Sequence, residues 1–242
     1  MLEHLWHCSV LFLFDPVKMS VASASIIAAI AVFAFLRRDS VQLKWKAAAI
    51  YAHLSLLIFP IIFFALTMHC GADCNTPLTN MVLYSLPLTV LFAGFAGFVA
   101  IPAFFLRTGS EIKGGLIGGF VKSQSKKMGI NAPKTYLAKS GRAVAFSFRS
   151  VFSAIFVSEK LLSMLNRKEL EAVLLHELAH ISSKSSVFKV SAFLMSFSPL
   201  SIFKSFGSDL TLEEKKADAF VVKSQKTGKH LLSAKRKMEK AQ

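Results

Sequence analysis

Apolar positions fill the first hundred residues in long blocks, then give way to short segments with strand or helix spacing. Met19–Leu36 runs without a charge, Ala47–Met68 carries one histidine and one proline, and Asn80–Leu106 carries two prolines. A bilayer span needs about 20 mostly apolar residues, so three transmembrane helices are predicted at about 19–36, 47–68 and 80–106. The first is not read as a cleaved signal peptide, because it starts late and its basic residues follow it. A fourth apolar stretch, residues 187–203, contains Lys189 and Pro199 and is short for a span. It is expected to associate with the membrane or re-enter it.

After residue 106 the periods shorten. "EIKGGLIGGFVKSQSKKMGI" (Glu111–Ile130) predicts a glycine hinge and a helix ending at Gly129. Its glycine pairs are no phosphate loop, since no Gly-Lys-Ser/Thr follows. "PKTYLAKS", "RAVAFSF" and "VFSAIFVS" predict three strands with a hairpin turn around Gly141, forming a small antiparallel sheet. "NRKELEAVLLHELAHISS" (Asn166–Ser183) predicts a helix, with Asn166 as N-cap and Glu169 completing a capping box. "LTLEEKKADAFVVKSQ" (Leu210–Gln225) predicts another, with Thr211 as N-cap.

Composition sharpens this division. The chain of 242 residues is 53% hydrophobic, with mean hydropathy +0.51, yet its formal charge is +15. Residues 1–106 hold five Lys/Arg and four Asp/Glu; the remainder hold 24 and ten, a surplus of +14. The expected organisation is a membrane anchor over 1–106 and an aqueous domain over 107–242. A basic domain beside a bilayer suits anionic headgroups. Nucleic acid is not an expected partner, because no recognition motif accompanies the lysines. The basic loop 37–46 and the loop 69–79, which has no Lys or Arg, orient the spans, with the N-terminus expected outside and the C-terminal domain cytoplasmic. Cys8, Cys70 and Cys74 then all face outward, where a Cys70–Cys74 disulfide is as compatible with the sequence as free thiols.

The candidate chemistry lies in "HELAH". On a helix, His176 and His180 are one turn apart and share a face. Two such histidines can bind one zinc, and Glu177 between them is placed as general base. A catalytic zinc takes three protein ligands and leaves one position for water. No histidine follows six residues after His180, where Ser186 stands, so the third ligand should be a carboxylate further along. Glu214 and Asp218, four apart on the later helix, supply a ligand and a carboxylate able to accept from a ligand histidine's other nitrogen. Glu213 is the competing ligand but has no carboxylate partner at that spacing. Arg142 and His230 are candidates for stabilising an oxyanion.

These motifs resemble the HtpX-like membrane metallopeptidases, kin of the CAAX prenyl endopeptidases. The resemblance runs from "MGINAPKTYLAKS" through "LLSMLNRKELEAVLLHELAHI" to "EEKKADAFVV". It implies an α+β zincin-like (gluzincin) domain holding one Zn2+ per chain through His176, His180 and Glu214, with Glu177 as base and Asp218 behind the ligands. "AVAFSF" stands where the family has Asn-Ala-Phe and where an extended substrate pairs with the sheet edge; here Val144 replaces the asparagine. "FSPL" and the glutamate helix also resemble the beta-lactam sensor-transducer metallopeptidases, but no segment of this sequence is expected to form a sensor domain.

The expected function is a multi-pass membrane zinc endopeptidase. It would hydrolyse peptide bonds of unfolded or membrane-protein substrates at the cytoplasmic face, in quality control. The alternatives are a signal-transducing metallopeptidase that cleaves a cytoplasmic regulator, and a non-catalytic zinc scaffold. An intramembrane protease is disfavoured, since Glu169, Glu171 and Lys184 flank the motif and no later span carries an aspartate.

Overall fold

The computed structural model describes residues 6, 9–10, 12–38, 41–69, 77–149, 152–183, 185–203 and 207–241. The three cysteines lie outside the described residues. The chain divides into two compact units, 1–97 with 191–204, and 98–190 with 205–242.

Helices α1 (Pro16–Leu36), α2 (Leu43–His69) and α3 (Leu78–Phe95) dominate the first unit. α3 runs on through a π-helical turn, Ala96–Ala100, into α4 (Ile101–Thr108). Among the described residues, three stretches are long and apolar enough to cross a membrane: Pro16–Leu36, Leu43–Thr67 and Leu78–Thr108. α1 starts three residues before the charge-free run, because Asp15 caps it. The Asp15 carboxylate accepts from the N–H groups of Val17 and Lys18 at 2.9 and 3.1 Å, and Pro16 occupies the first turn without needing a donor partner. Only 22–33% of each apolar window is buried within the protein, so most of each helix presents hydrocarbon outward, as a lipid-facing helix must.

Polar groups in this unit are paired. Ser25 Oγ donates to the Leu56 carbonyl at 2.7 Å. His53 is fully buried, with Nδ1 2.9 Å from the Ala29 carbonyl and Nε2 2.9 Å from Ser198 Oγ. A carbonyl only accepts, so Nδ1 carries the proton and Nε2 accepts from the serine. That pairing ties residue 198 to the first two helices. The apolar segment 187–203 is not one long helix. It comprises the end of α8 (Ser185–Met195) and a 3-10 turn at Pro199–Phe203, and eleven residues reach only about half the depth of a bilayer.

The second unit holds strands β1 (Gly109–Glu111), β2 (Lys134–Ala138), β3 (Ala145–Arg149) and β4 (Ser153–Ser158) in the order β1-β2-β4-β3. The sheet is mixed. β1–β2 and β3–β4 are antiparallel, whereas β2–β4 is parallel. This corrects the expected antiparallel sheet: residues 139–144 make no hairpin at Gly141 but carry the chain past β4 to the far edge. Burial explains the order. β4 is apolar on both faces, with Ala154 and Phe156 in one cluster and Ile155 and Val157 in another, so it gains most from a central position. β3 alternates Phe146 and Phe148 with Ser147 and Arg149 and takes an edge.

Helix α5 (Gly115–Lys127) ends in a Schellman motif. Ile130 N–H reaches the Ser125 carbonyl, Gly129 N–H reaches the Lys126 carbonyl, and Gly129 has φ +66°. A short helix α6 (Glu159–Met164) leads to α7 (Arg167–Ser182), which packs on the sheet through Val173, Leu174, Leu178 and Ile181. Helix α9 (Gly207–Gln225) begins before Leu210, so Thr211 lies inside it and is not its N-cap. Helix α10 (Lys229–Lys240) buries Leu231 and Ala234.

Candidate metal centre

The histidine helix is held in register by its own first turn. Glu169 N–H donates to Asn166 Oδ1 at 3.0 Å, and Asn166 N–H donates to Glu169 Oε2 at 2.9 Å. Glu169 is buried and also receives Lys237 Nζ at 2.7 Å and Ser233 Oγ at 2.6 Å from α10. Burial works to raise its carboxyl, but the hydrogen bonds from Lys237, Ser233 and the Asn166 backbone prevail and hold it at about 2.

From this start, residues 172–181 are buried throughout, and His176, Glu177 and His180 are the polar members. Each must find partners in place of water. The Nε2 atoms of His176 and His180 face each other at 3.1 Å. Glu214, reaching in from α9, puts Oε2 2.8 Å from His176 Nε2 and Oε1 3.3 Å from His180 Nε2. On the outer side, Ser185 Oγ lies 2.9 Å from His180 Nδ1. Asp218 Oδ1 lies 2.9 Å from His176 Nδ1, close enough for an ion pair but without the alignment of a hydrogen bond.

This donor set fits a zinc-sized cation. Two ligands at about 2.0–2.1 Å in a tetrahedron stand roughly 3.3 Å apart, and the three inward-facing contacts span 2.8–3.3 Å. The two Nε2 atoms and the carboxylate converge on one point, a donor set of the kind that holds such a cation. Among the described residues, His176, His180 and Glu214 form the one group able to hold a metal. Glu213 is turned elsewhere: it is buried and pairs with Lys216 at 2.6 Å.

Cations flank the carboxylates. Lys189 Nζ is 2.7 Å from Glu214 Oε1, and Lys235 Nζ grips both Asp218 oxygens at 2.6 and 2.7 Å. Burial works to raise the Glu214 carboxyl, but hydrogen bonds from both histidines and from Lys189 hold it far below the usual carboxylate range. Glu177 meets β3, where Ser147 Oγ donates to its Oε2 at 2.6 Å. Arg142 is exposed before β3 and His230 is half-buried on α10; neither belongs to the metal group.

Ser147, Ser185, Lys189 and Lys235 escape a reading of sequence alone. No periodicity links Asp218 to a lysine 17 residues on, and only the packing of α10 beside α9 brings them together. Ser147 had a weak signal, being a polar residue between two phenylalanines on a strand.

Residues 117–240 match the model of peptidase family M48. A stretch of 104 residues is 35% identical to a "Protease HtpX homolog" of Pelotomaculum thermopropionicum, covering 42% of this chain and 37% of that relative. The matched stretch thus spans well under half of the relative's length. The family match includes the histidine helix, the glutamate helix, strands β2, β3 and β4, and α10, and on that match this chain belongs to peptidase family M48.

Proposed function

We propose that the protein is an integral membrane zinc metalloendopeptidase, with residues 1–106 as anchor and 107–242 as cytoplasmic catalytic domain. The observation that carries this is the convergence of His176 Nε2, His180 Nε2 and the Glu214 carboxylate, with Glu177 one residue from the first ligand. His176, His180 and Glu214 would hold one zinc, and Asp218, 2.9 Å from His176 Nδ1, would pair with that ring from behind. Zinc, when bound, supplies a Lewis acid for water and for the peptide carbonyl.

The chain's own residues do the rest. Ser147 occupies Glu177 Oε2 and leaves the second carboxylate oxygen for proton transfer. Glu177 takes a proton from water as its oxygen attacks the peptide carbonyl carbon. It then delivers that proton to the departing nitrogen as the C–N bond breaks, giving a carboxylic acid and an amine, between which the acid's proton then passes to leave carboxylate and ammonium. The edge strand β3 offers main-chain groups to which an extended substrate can add as a further strand. Substrates of this class must be locally unfolded, so unfolded or membrane-protein segments in quality control are the proposed targets. The positive-inside pattern of the loops supports an outside N-terminus.

The test is cleavage of an unfolded model protein by the full chain in detergent with zinc, beside Glu177→Gln. Loss of cleavage in the variant, with zinc retained, supports the reading. Equal cleavage by both overturns it.

A further inference from the structure

One cavity in the catalytic unit has a charge character that the hydrolytic machinery does not require. It holds about 590 Å3 and is lined by Asn131, Lys134, Arg149, Phe152, Ser153 and Ile181, among others. Among the described residues no carboxylate lines it. Arg149 Nη1 donates to the Ile181 carbonyl at 3.2 Å, one residue beyond His180, which fixes the guanidinium at the end of the histidine helix. Among the described residues Arg149 has no acidic partner, and Lys134 has only a loose one, Glu111 at 4.0 Å.

The register of β3 connects this cavity to the candidate catalytic base. Ser158 N–H donates to the Val144 carbonyl, so 144 and 158 form a hydrogen-bonded pair, and by alternation 146/156 and 148/154 do too. The main-chain N–H and C=O groups of residues 145, 147 and 149 therefore point to the free edge. A peptide added along that edge bonds to Ser147 and Arg149, and its side chains opposite them project to the same face of the sheet as theirs. Ser147 touches Glu177, so the residue opposite Ser147 lies at the reacting bond. The residue opposite Arg149 lies two positions along and meets the basic cavity.

Resting on the peptidase reading above, we propose that this cavity is a substrate subsite for an acidic side chain, Asp or Glu, about two residues from the cleaved bond. Arg149 is the residue that sets the preference: Nη1 holds the Ile181 carbonyl, and the remaining N–H donors of the guanidinium are there for a carboxylate. Lys134 adds positive field at the mouth, and Phe152 packs on the side chain's methylenes.

The experiment measures binding separately from turnover. Zinc-loaded full-length Glu177→Gln protein in detergent is titrated with fluorescent peptides whose ends are acetylated and amidated. Glu is placed at each position in turn against a Gln control, and anisotropy is read. At one position Glu should bind about tenfold tighter than Gln, as a charge-assisted hydrogen bond implies. Adding Arg149→Gln should reduce this to under twofold while still allowing a bond to the Ile181 carbonyl. Adding Arg149→Glu should favour a Lys peptide instead. Equal binding of Glu and Gln peptides, a preference that survives both Arg149 changes, or no binding of any peptide overturns the subsite. Wild-type cleavage of the same peptides reports on the peptidase reading by itself: discrimination in binding with no cleavage defeats that reading and leaves the acidic site standing.

Discussion

Ser147 Oγ donates to Glu177 Oε2 at 2.6 Å and also reaches the Glu177 main-chain carbonyl at 3.2 Å. A strand hydroxyl thus fixes the rotamer of the candidate base against the helix that carries it. Ser147→Ala is expected to lower kcat about tenfold with little change in KM, because an unrestrained base spends less time in the productive geometry. Ser147→Thr should recover part of the loss, and zinc content should not change. An unaltered kcat in the alanine variant would remove Ser147 from the mechanism.

The three inward-facing ligand groups lead to a prediction about metal. The purified full chain is expected to bind one zinc, measured by elemental analysis, and chelation should abolish cleavage until zinc is restored. His180→Ala and Glu214→Gln should each lose most of the metal, since each takes away one of three protein ligands. Stoichiometric zinc in both variants would place the metal elsewhere.

Asp218 stands between His176 Nδ1 and Lys235. Partners behind a metal ligand typically govern affinity by 10–100-fold. Asp218→Asn should therefore weaken zinc binding by about that range in a chelator competition, and Lys235→Met by less, since it leaves the carboxylate in place. Identical affinity for Asp218→Asn and wild type would make this contact incidental.

Glu169 links the capping box of the histidine helix to α10 and should make stability depend on pH. Its carboxyl sits at about 2, below its ordinary 4.5. The stabilisation is therefore fully present above about pH 4.5 and is lost as pH falls toward 2. Glu169→Gln should cost on the order of 1–3 kcal/mol at pH 7, as expected for a buried charged hydrogen-bond partner. That penalty should shrink in the acid range. Melts followed by circular dichroism at several pH values between 7 and 2.5 give the comparison, and a pH-independent penalty would count against the Glu169–Lys237 contact.

Much of this protein was readable residue by residue. The three apolar blocks specify three long helices, because hydrocarbon length and the need to satisfy backbone groups within the helix leave no other solution. Asn166 and Glu169 specify the start of the histidine helix, because that bond pair is local. The spacing of His176 and His180, and of Glu214 and Asp218, specifies which side chains share a helical face. Strand order was not readable. Alternation reports which face a residue takes, not which neighbour it pairs with, and the parallel β2–β4 contact depends on β4 being the strand with most to bury on both sides.

The sequence by itself determined the three long helices, the histidine and glutamate helices, the division of charge and the kinds of side chain offered as ligands, since these follow from local spacing and from the chemistry of single residues. Only the tertiary structure decided which oxygen of Glu214 meets which histidine, that Ser147 holds Glu177, that Lys235 holds Asp218, and that Arg149 stands beside the end of the histidine helix. Those contacts join residues 17 to 38 positions apart on different elements. Their existence depends on how whole elements pack to bury apolar surface, which no local pattern encodes.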